Sequence, residues 1–199
     1  MSAAWPLFDL RLQYGGLLLR PLREADLPLV VALLPDDVDL DPALPPDRCL
    51  AVHQGYWRAQ GRWSVQDWAL SFLVHDGGRA MGVQVLEGAD FPLLRTVDSA
   101  SWLIPSARGR GVGTAMRTAM LDFAFGSLGA QAAVSSAWHD NAASLGVSRS
   151  LGYGPNGEHS HRRGEGVDVM VHLRRSRSGW SGAGVGVEGF EPCRGLFGL

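Results

Sequence analysis

The chain has 199 residues, 46% apolar and 19% charged, an ordinary composition for one globular domain with at most an added arm, which excludes wholesale disorder and a fibrous repeat. A net charge of -2 offers no basic field to a nucleic-acid backbone or an anionic lipid surface. All 18 basic residues are arginine, which excludes a Walker phosphate loop and every lysine Schiff-base mechanism, pyridoxal phosphate chemistry included.

Gly15-Gly16 is a turn signal, and Leu17-Leu18-Leu19 after it predicts a short first strand. A first helix follows through Leu27, Val30, Val31 and Leu34, with Pro28 tolerated in its first turn and Pro35 stopping it. The loop 35–47 holds Asp36, Asp37, Asp39, Asp41 and Asp47 with four prolines, so it is expected to be irregular and locally negative. Residues 48–60 suit a second helix. Runs 68–74 and 80–86 flank the turn residues 75–79, and 96–104 closes at Pro105; together they predict an antiparallel meander. Val112, Ala115, Met116, Ala119, Met120 and Phe123 recur at 3- and 4-residue steps, the clearest amphipathic helix in the chain, over 112–125. A short strand at 132–137 precedes a helix capped by Asp140 or Asn141, which runs to Leu151 and stops at Gly152. A last strand spans 167–173.

After Arg174 the composition turns to Arg, Ser and Gly, and residues 174–199 are expected to form an arm docked on the 1–173 domain or on a second subunit. No run approaches the roughly 20 apolar residues that cross a bilayer, and residues 1–12 lack a signal-like segment, so a cytoplasmic location is expected. Cys49 and Cys193, without metal spacing, are expected as free thiols.

The segment Arg108-Gly109-Arg110-Gly111-Val112-Gly113-Thr114 sits between a strand and the amphipathic helix. Glycines let the backbone turn its amides inward, and a helix start leaves N–H groups unpaired at the positive end of its dipole, so such a turn binds phosphate. Arg108 and Arg110 would add charge. The spacing fails GxGxxG, which disfavours a dinucleotide.

The spacing does match R-x-x-G-x-G, through Arg108, Gly111 and Gly113, and so resembles the acyl-CoA pyrophosphate loop of the GNAT N-acetyltransferase superfamily. The element order over about 17–173 is similar to that fold: mixed α/β, with a mostly antiparallel, splayed central sheet flanked by helices. Asn141-Ala-Ala-Ser144, Leu151-Gly152-Tyr153 and the opening 20–26 resemble the ribosomal-protein N-acetyltransferase-like branch. The resemblance implies acyl transfer, most simply acetyl from acetyl-CoA, to a primary amine on a small molecule or a protein N-terminus, in a homo-oligomer such as a dimer. It implies backbone contacts to the pantetheine arm and an oxyanion site at Trp102, Leu103 and Ile104, and diphosphate binding by Arg108, Gly109, Arg110, Gly111, Val112, Gly113 and Thr114. Asn141 would hold the arm, Ser144 would protonate the leaving thiolate, and Asp98 would serve as general base, with His139 and Glu87 in reserve.

Tyr153 resembles the acid proposed in other GNAT branches but is expected in the core, and Trp57, Trp63 and Trp68 are expected as core or acceptor-pocket walls. His159, His161, Arg162 and Arg163 are expected at a solvated hairpin tip, and no metal is implied. A succinyl donor, with Arg95 pairing its carboxylate, a non-catalytic acyl-CoA-binding module and a nucleotide-binding regulator remain alternatives.

Overall fold

The structure is a computed structural model that describes residues 5–199; residues 1–4 of the amino-terminal stretch lie outside the described residues. A hairpin of β1 (Arg11–Tyr14) and β2 (Leu17–Pro21) turns at Gly15-Gly16, whose φ angles of 56° and 88° favour residues without a Cβ. The helices α1 (Leu27–Leu33) and α2 (Arg48–Gly61) follow, and the Asp47 side chain caps α2 by accepting from Leu50 N at 2.8 Å. Next come β3 (Asp67–Asp76), β4 (Arg79–Ala89), the single turn α3 (Phe91–Leu94) and β5 (Thr96–Leu103). The second half holds α4 (Val112–Asp122), β6 (Ala132–Trp138), α5 (Ala142–Ser150), β7 (Gly154–Arg163), β8 (Gly166–Ser176) and β9 (Gly186–Glu188).

All nine strands join one sheet in the order β7-β8-β6-β5-β4-β3-β2-β1-β9. Every neighbouring pair with a recorded register is antiparallel except β5–β6, which is parallel because α4 forms the crossover between them. The alternation of each strand then sorts the side chains. One face buries Leu12, Leu19, Phe72, Leu86, Val97 and Ala133 against Met116, Met120 and Phe123 of the α4 segment. The other seats α1 and α2, with Leu27 and Val30 packed on Leu73 and Val83.

The structure departs from the sequence expectation in four places. The regular part of α4 ends at Asp122, and a wider π turn carries the chain through Phe123–Ser127. Strand β1, whose four residues alternate weakly, escapes a periodicity reading. Residues 154–163 form an edge strand whose hairpin with β8 turns at 164–165, so Arg162 and Arg163 flank the expected tip, whereas His159 and His161 lie further back along β7. Finally, β8 runs to Ser176, past the expected arm boundary.

Beyond β8, the chain returns to its own domain: β9 pairs with β1, and Phe190, Cys193 and Phe197 are buried. Phe197 meets Trp63, Trp68, Phe123 and Phe190 with ring centroids 4.9–6.4 Å apart. Trp63 and Trp68 are thus core residues, whereas Trp57 is 49% exposed. Both cysteines are free, and burial pushes the Cys193 thiol up to about 11. Because Phe197 closes an aromatic cluster, Phe197→Ala should cost about 3–5 kcal/mol in urea unfolding. A loss below about 1 kcal/mol would mean that the arm merely rests on the surface.

Candidate active site

The glycine segment begins where Arg108 N donates to Pro105 O at 3.2 Å. Gly109 and Gly111 then adopt φ angles of 70° and 81°, and Gly111 is the N-cap of α4 with no side chain capping it. The first helix bond runs from Ala115 N to Gly111 O at 3.0 Å. Between these two bonds, the amides of Gly109 to Thr114 have no protein acceptor among the described residues. A Cβ built on Gly109 or Gly111 meets nothing within 4 Å, so the amides border open space. Unpaired donors at the positive end of a helix form an anion site.

The strand leading into this loop is half unpaired. Strands β5 and β6 are bonded only at Thr96–Ala132, Val97–Ala133 and Asp98–Val134, and beyond Asp98 they diverge as a wedge. Ser135 pins the base of the wedge: its hydroxyl donates to Ser99 O at 3.1 Å and accepts from the buried Arg117 Nη1 at 3.2 Å. Ile104 N donates to Met81 O on the β4 side, and Ala100 O accepts there from the Gln84 side chain. Backbone groups alternate between the two edges of a strand. Trp102 therefore turns its amide and carbonyl to β4, and Ile104 turns its amide there while its carbonyl accepts from Ala107 N at 3.0 Å, which corrects the expectation that they face the pantetheine arm. Ser101 and Leu103 face the wedge instead, and Leu103 O already accepts from Arg108 Nε at 3.0 Å.

Across the wedge, Asn141 caps α5, its side-chain oxygen accepting from Ser144 N at 3.0 Å, which leaves its NH2 group free to donate. The Ser144 side chain is half-buried and has no hydrogen-bond partner among the described residues. Tyr153 is buried below, its hydroxyl unpartnered, and burial pushes its phenol above the ordinary value. That placement suits a core role. Gly152 ends the α5 segment at φ 78°.

Asp98 rises from the face that carries α1 and α2, directly opposite Glu87 on β4. The acidic loop is engaged rather than free. Asp41 pairs with Arg58 at 2.5 Å, and Asp47 caps α2. Asp37 grips both terminal nitrogens of Arg108 at 2.5 and 2.8 Å, and Asp39 accepts from Trp138 Nε1 at 2.9 Å. The loop is thereby tied to the segment that follows β5 and to the end of β6, spanning the mouth of the wedge. Arg110 is exposed, with one 3.5 Å contact to Ser106 O. Arg95 precedes β5 at the paired end of the two strands, remote from the opening. His139 is held by Asp168 at 3.0 Å.

A family model described as an acetyltransferase (GNAT) domain matches residues 16–154. The chain belongs to the GNAT acetyltransferase family. It is accordingly an N-acyltransferase. Similar solved structures include Mycobacterium smegmatis RimJ in complex with CoA-disulfide, at a TM-score of 0.70 and 17% identity over 86% of this chain and 88% of that one. A variant of the spermidine N-acetyltransferase SpeG from Vibrio cholerae matches at a TM-score of 0.70 and 15% identity, covering 82% and 95% of the two chains. The ribosomal-protein alpha-N-acetyltransferase RimL in complex with coenzyme A matches at 0.65 and 19%, covering 81% and 94%. At these identities, the likeness is one of fold. No helix among the described residues is long and apolar enough to cross a membrane.

Glu87, which the sequence names only in reserve, faces Asp98 across β4–β5, a meeting that only strand register reveals. Its carboxyl lies above the usual range, first through desolvation and then through the Asp98 charge. Its side chain still reaches water, so screening keeps the effect small. A carboxyl raised in the folded state costs stability once it ionises. Stability should therefore fall as pH climbs from the ordinary value of 4.5 through the raised one. Glu87→Gln should melt with the wild type below that value and above it at neutral pH. A lower melting temperature at neutral pH would show that the carboxylate is held by a favourable partner.

Proposed function

We propose that this GNAT domain transfers an acetyl group from acetyl-CoA to a primary amine by direct attack in a ternary complex. The observation that carries this reading is the wedge beyond Asp98–Val134, which runs into a loop of unpaired amides. In this reading, the amides of Gly109 to Thr114 hold the diphosphate, with Arg110 beside them. Arg108 joins them by exchanging Asp37 for phosphate, because one guanidinium fork cannot serve both anions. The open edge at Ser101 and Leu103, with the Asn141 NH2 group, holds the pantetheine arm so that the thioester lies where the strands part.

The acceptor enters from the face carrying Asp98 and Glu87, two carboxylates that attract an ammonium. Asp98 takes its proton, directly or through a water. The amine nitrogen then bonds to the carbonyl carbon and the carbon–sulfur bond breaks; Ser144 protonates the leaving thiolate and takes in its place the second proton that the nitrogen sheds, so that the amide forms neutral. Acetyl is preferred to a dicarboxylic acyl group because Arg95 lies away from the opening. The acceptor is a small amine, as the name of SpeG says for that protein, or a protein N-terminus, as the name of RimL says for that one. The exposed edge strand β7 supports self-association as a dimer, and we place the protein in the cytoplasm.

Calorimetry with CoA and a thiol-release assay over an amine panel test the reading. A Cβ at Gly113 already touches Val147 at 3.6 Å and Leu103 at 3.8 Å, so Gly113→Trp should abolish CoA binding while Ser144→Ala lowers turnover and spares affinity. Unchanged affinity in Gly113→Trp would contradict the diphosphate site, and tight CoA binding without turnover of any amine would contradict catalysis.

A further inference from the structure

Three histidines and a serine form a chain, at the exposed β6–β8–β7 end of the sheet face that carries α1 and α2, that acyl transfer, as derived above, does not use. Ser136 Oγ lies 2.8 Å from His172 Nδ1, His172 Nε2 lies 2.6 Å from His159 Nδ1, and His159 Nε2 lies 3.4 Å from His161 Nδ1. The His159 and His172 rings are within 10° of parallel with centroids 4.8 Å apart. Their facing nitrogens therefore meet edge to edge, as in an N–H···N bond.

The register explains why they meet. Ser136 pairs with His172 across β6–β8, and His159 and His161 pair with Met170 and Asp168 across β7–β8, so all four project from one face. That face is also the one from which Asp98 rises, because Asp98 pairs with Val134, two residues before Ser136. Ser136 therefore stands on the diverging part of β6, about 7 Å further along the strand than the last β5–β6 pair. The chain begins at Ser136, on the diverging part of β6, and ends at His161; Ser136, His159 and His161 are exposed and His172 is half-buried.

We propose that Ser136, His172, His159 and His161 conduct the proton lost by the acceptor ammonium from the wedge to bulk water. The proposal rests on the acyl-transfer reading. With every imidazole neutral, the chain can be polarised either way, and the polarity that carries a proton outward has the Ser136 hydroxyl donating to His172 Nδ1, His172 Nε2–H to His159 Nδ1, and His159 Nε2–H to His161 Nδ1. A proton collected at Asp98 and passed through water to Ser136 moves each of these protons one step along. His161 then releases its Nε2 proton to water. The amine loses one proton, water gains one, and each relay member keeps its number with its tautomer reversed; exchange with solvent resets the tautomers. The charged and titratable groups around the chain are Asp98 at the wedge, Asp168 and Arg174 on β8, Arg163 on β7, Asp39 of the loop, and Asp140 and His139 after β6, the last held by Asp168 at 3.0 Å. Arg163 is itself held by Asp140 and Asp168 at 2.9 and 2.8 Å, which keeps its charge off the imidazoles.

The test uses the full chain with acetyl-CoA and either spermidine or a tetrapeptide with a free amino terminus, with Glu158→Ala as a control from the other face of β7. His172→Ala and His159→Ala should each lower kcat at neutral pH, by up to about 100-fold, with the KM for acetyl-CoA unchanged. Added imidazole should restore the rate, a response that a merely structural role does not give. The deficit should also narrow as pH nears the acceptor's own pKa, about 10 for an alkyl amine and about 8 for a peptide amino terminus, since the acceptor then arrives deprotonated. An unchanged kcat, or a lowered one that ignores imidazole, overturns the chain while leaving acyl transfer standing. A wild type that turns over neither amine overturns both.

Discussion

The site depends on hydrogen bonds that the backbone does not make. A sheet interior normally pairs every amide and carbonyl, because leaving a buried one unpaired is costly. Here, β5 and β6 pair for three residues and then part, while the loop after β5 enters α4 without pairing six consecutive amides. Both gaps lie along one line, from the Ser135 pin to the N-terminus of α4. A ligand with a long polar arm and a terminal diphosphate supplies what both gaps lack.

The acidic loop and the basic residues around the wedge form a second level of organisation. Asp37 and Asp39 bridge the opening by holding Arg108 on one side and Trp138 on the other. Arg108 also braces Leu103 O, so one side chain ties together the strand edge, the phosphate loop and the acceptor-side loop. In the proposed acyl transfer, a single guanidinium would thus connect donor binding with acceptor binding. On the far side of the sheet, the carboxy-terminal residues stiffen the frame by completing the aromatic cluster around Phe197.

Much of this was legible in the sequence because it rests on local rules. The Gly15-Gly16 turn, the 3- and 4-residue steps of α4, the Asn141 cap and the Gly152 stop each follow from one residue's backbone preference or one helical period. The glycine loop showed itself through its place between a strand and a helix. What stayed hidden depends on register. Which of Ser101 to Ile104 turn their backbone to the wedge is decided by how β5 pairs with β4, and the sequence of β5 is silent on that. Glu87 facing Asp98, and Ser136 facing His172, are cross-strand meetings of residues 11 and 36 positions apart. The aspartates of the loop looked like a free negative field because their partners Arg108 and Trp138 come 71 and 99 residues later.

Hydrogen–deuterium exchange with and without CoA measures the central claim directly, because it reads the amides themselves. If the unpaired amides receive the cofactor, exchange should slow at residues 109–114 and along the open edge at Ser101 and Leu103, with little change on β1, β2 and β9. Exchange at residues 109–114 that is equally fast with saturating CoA would contradict the account.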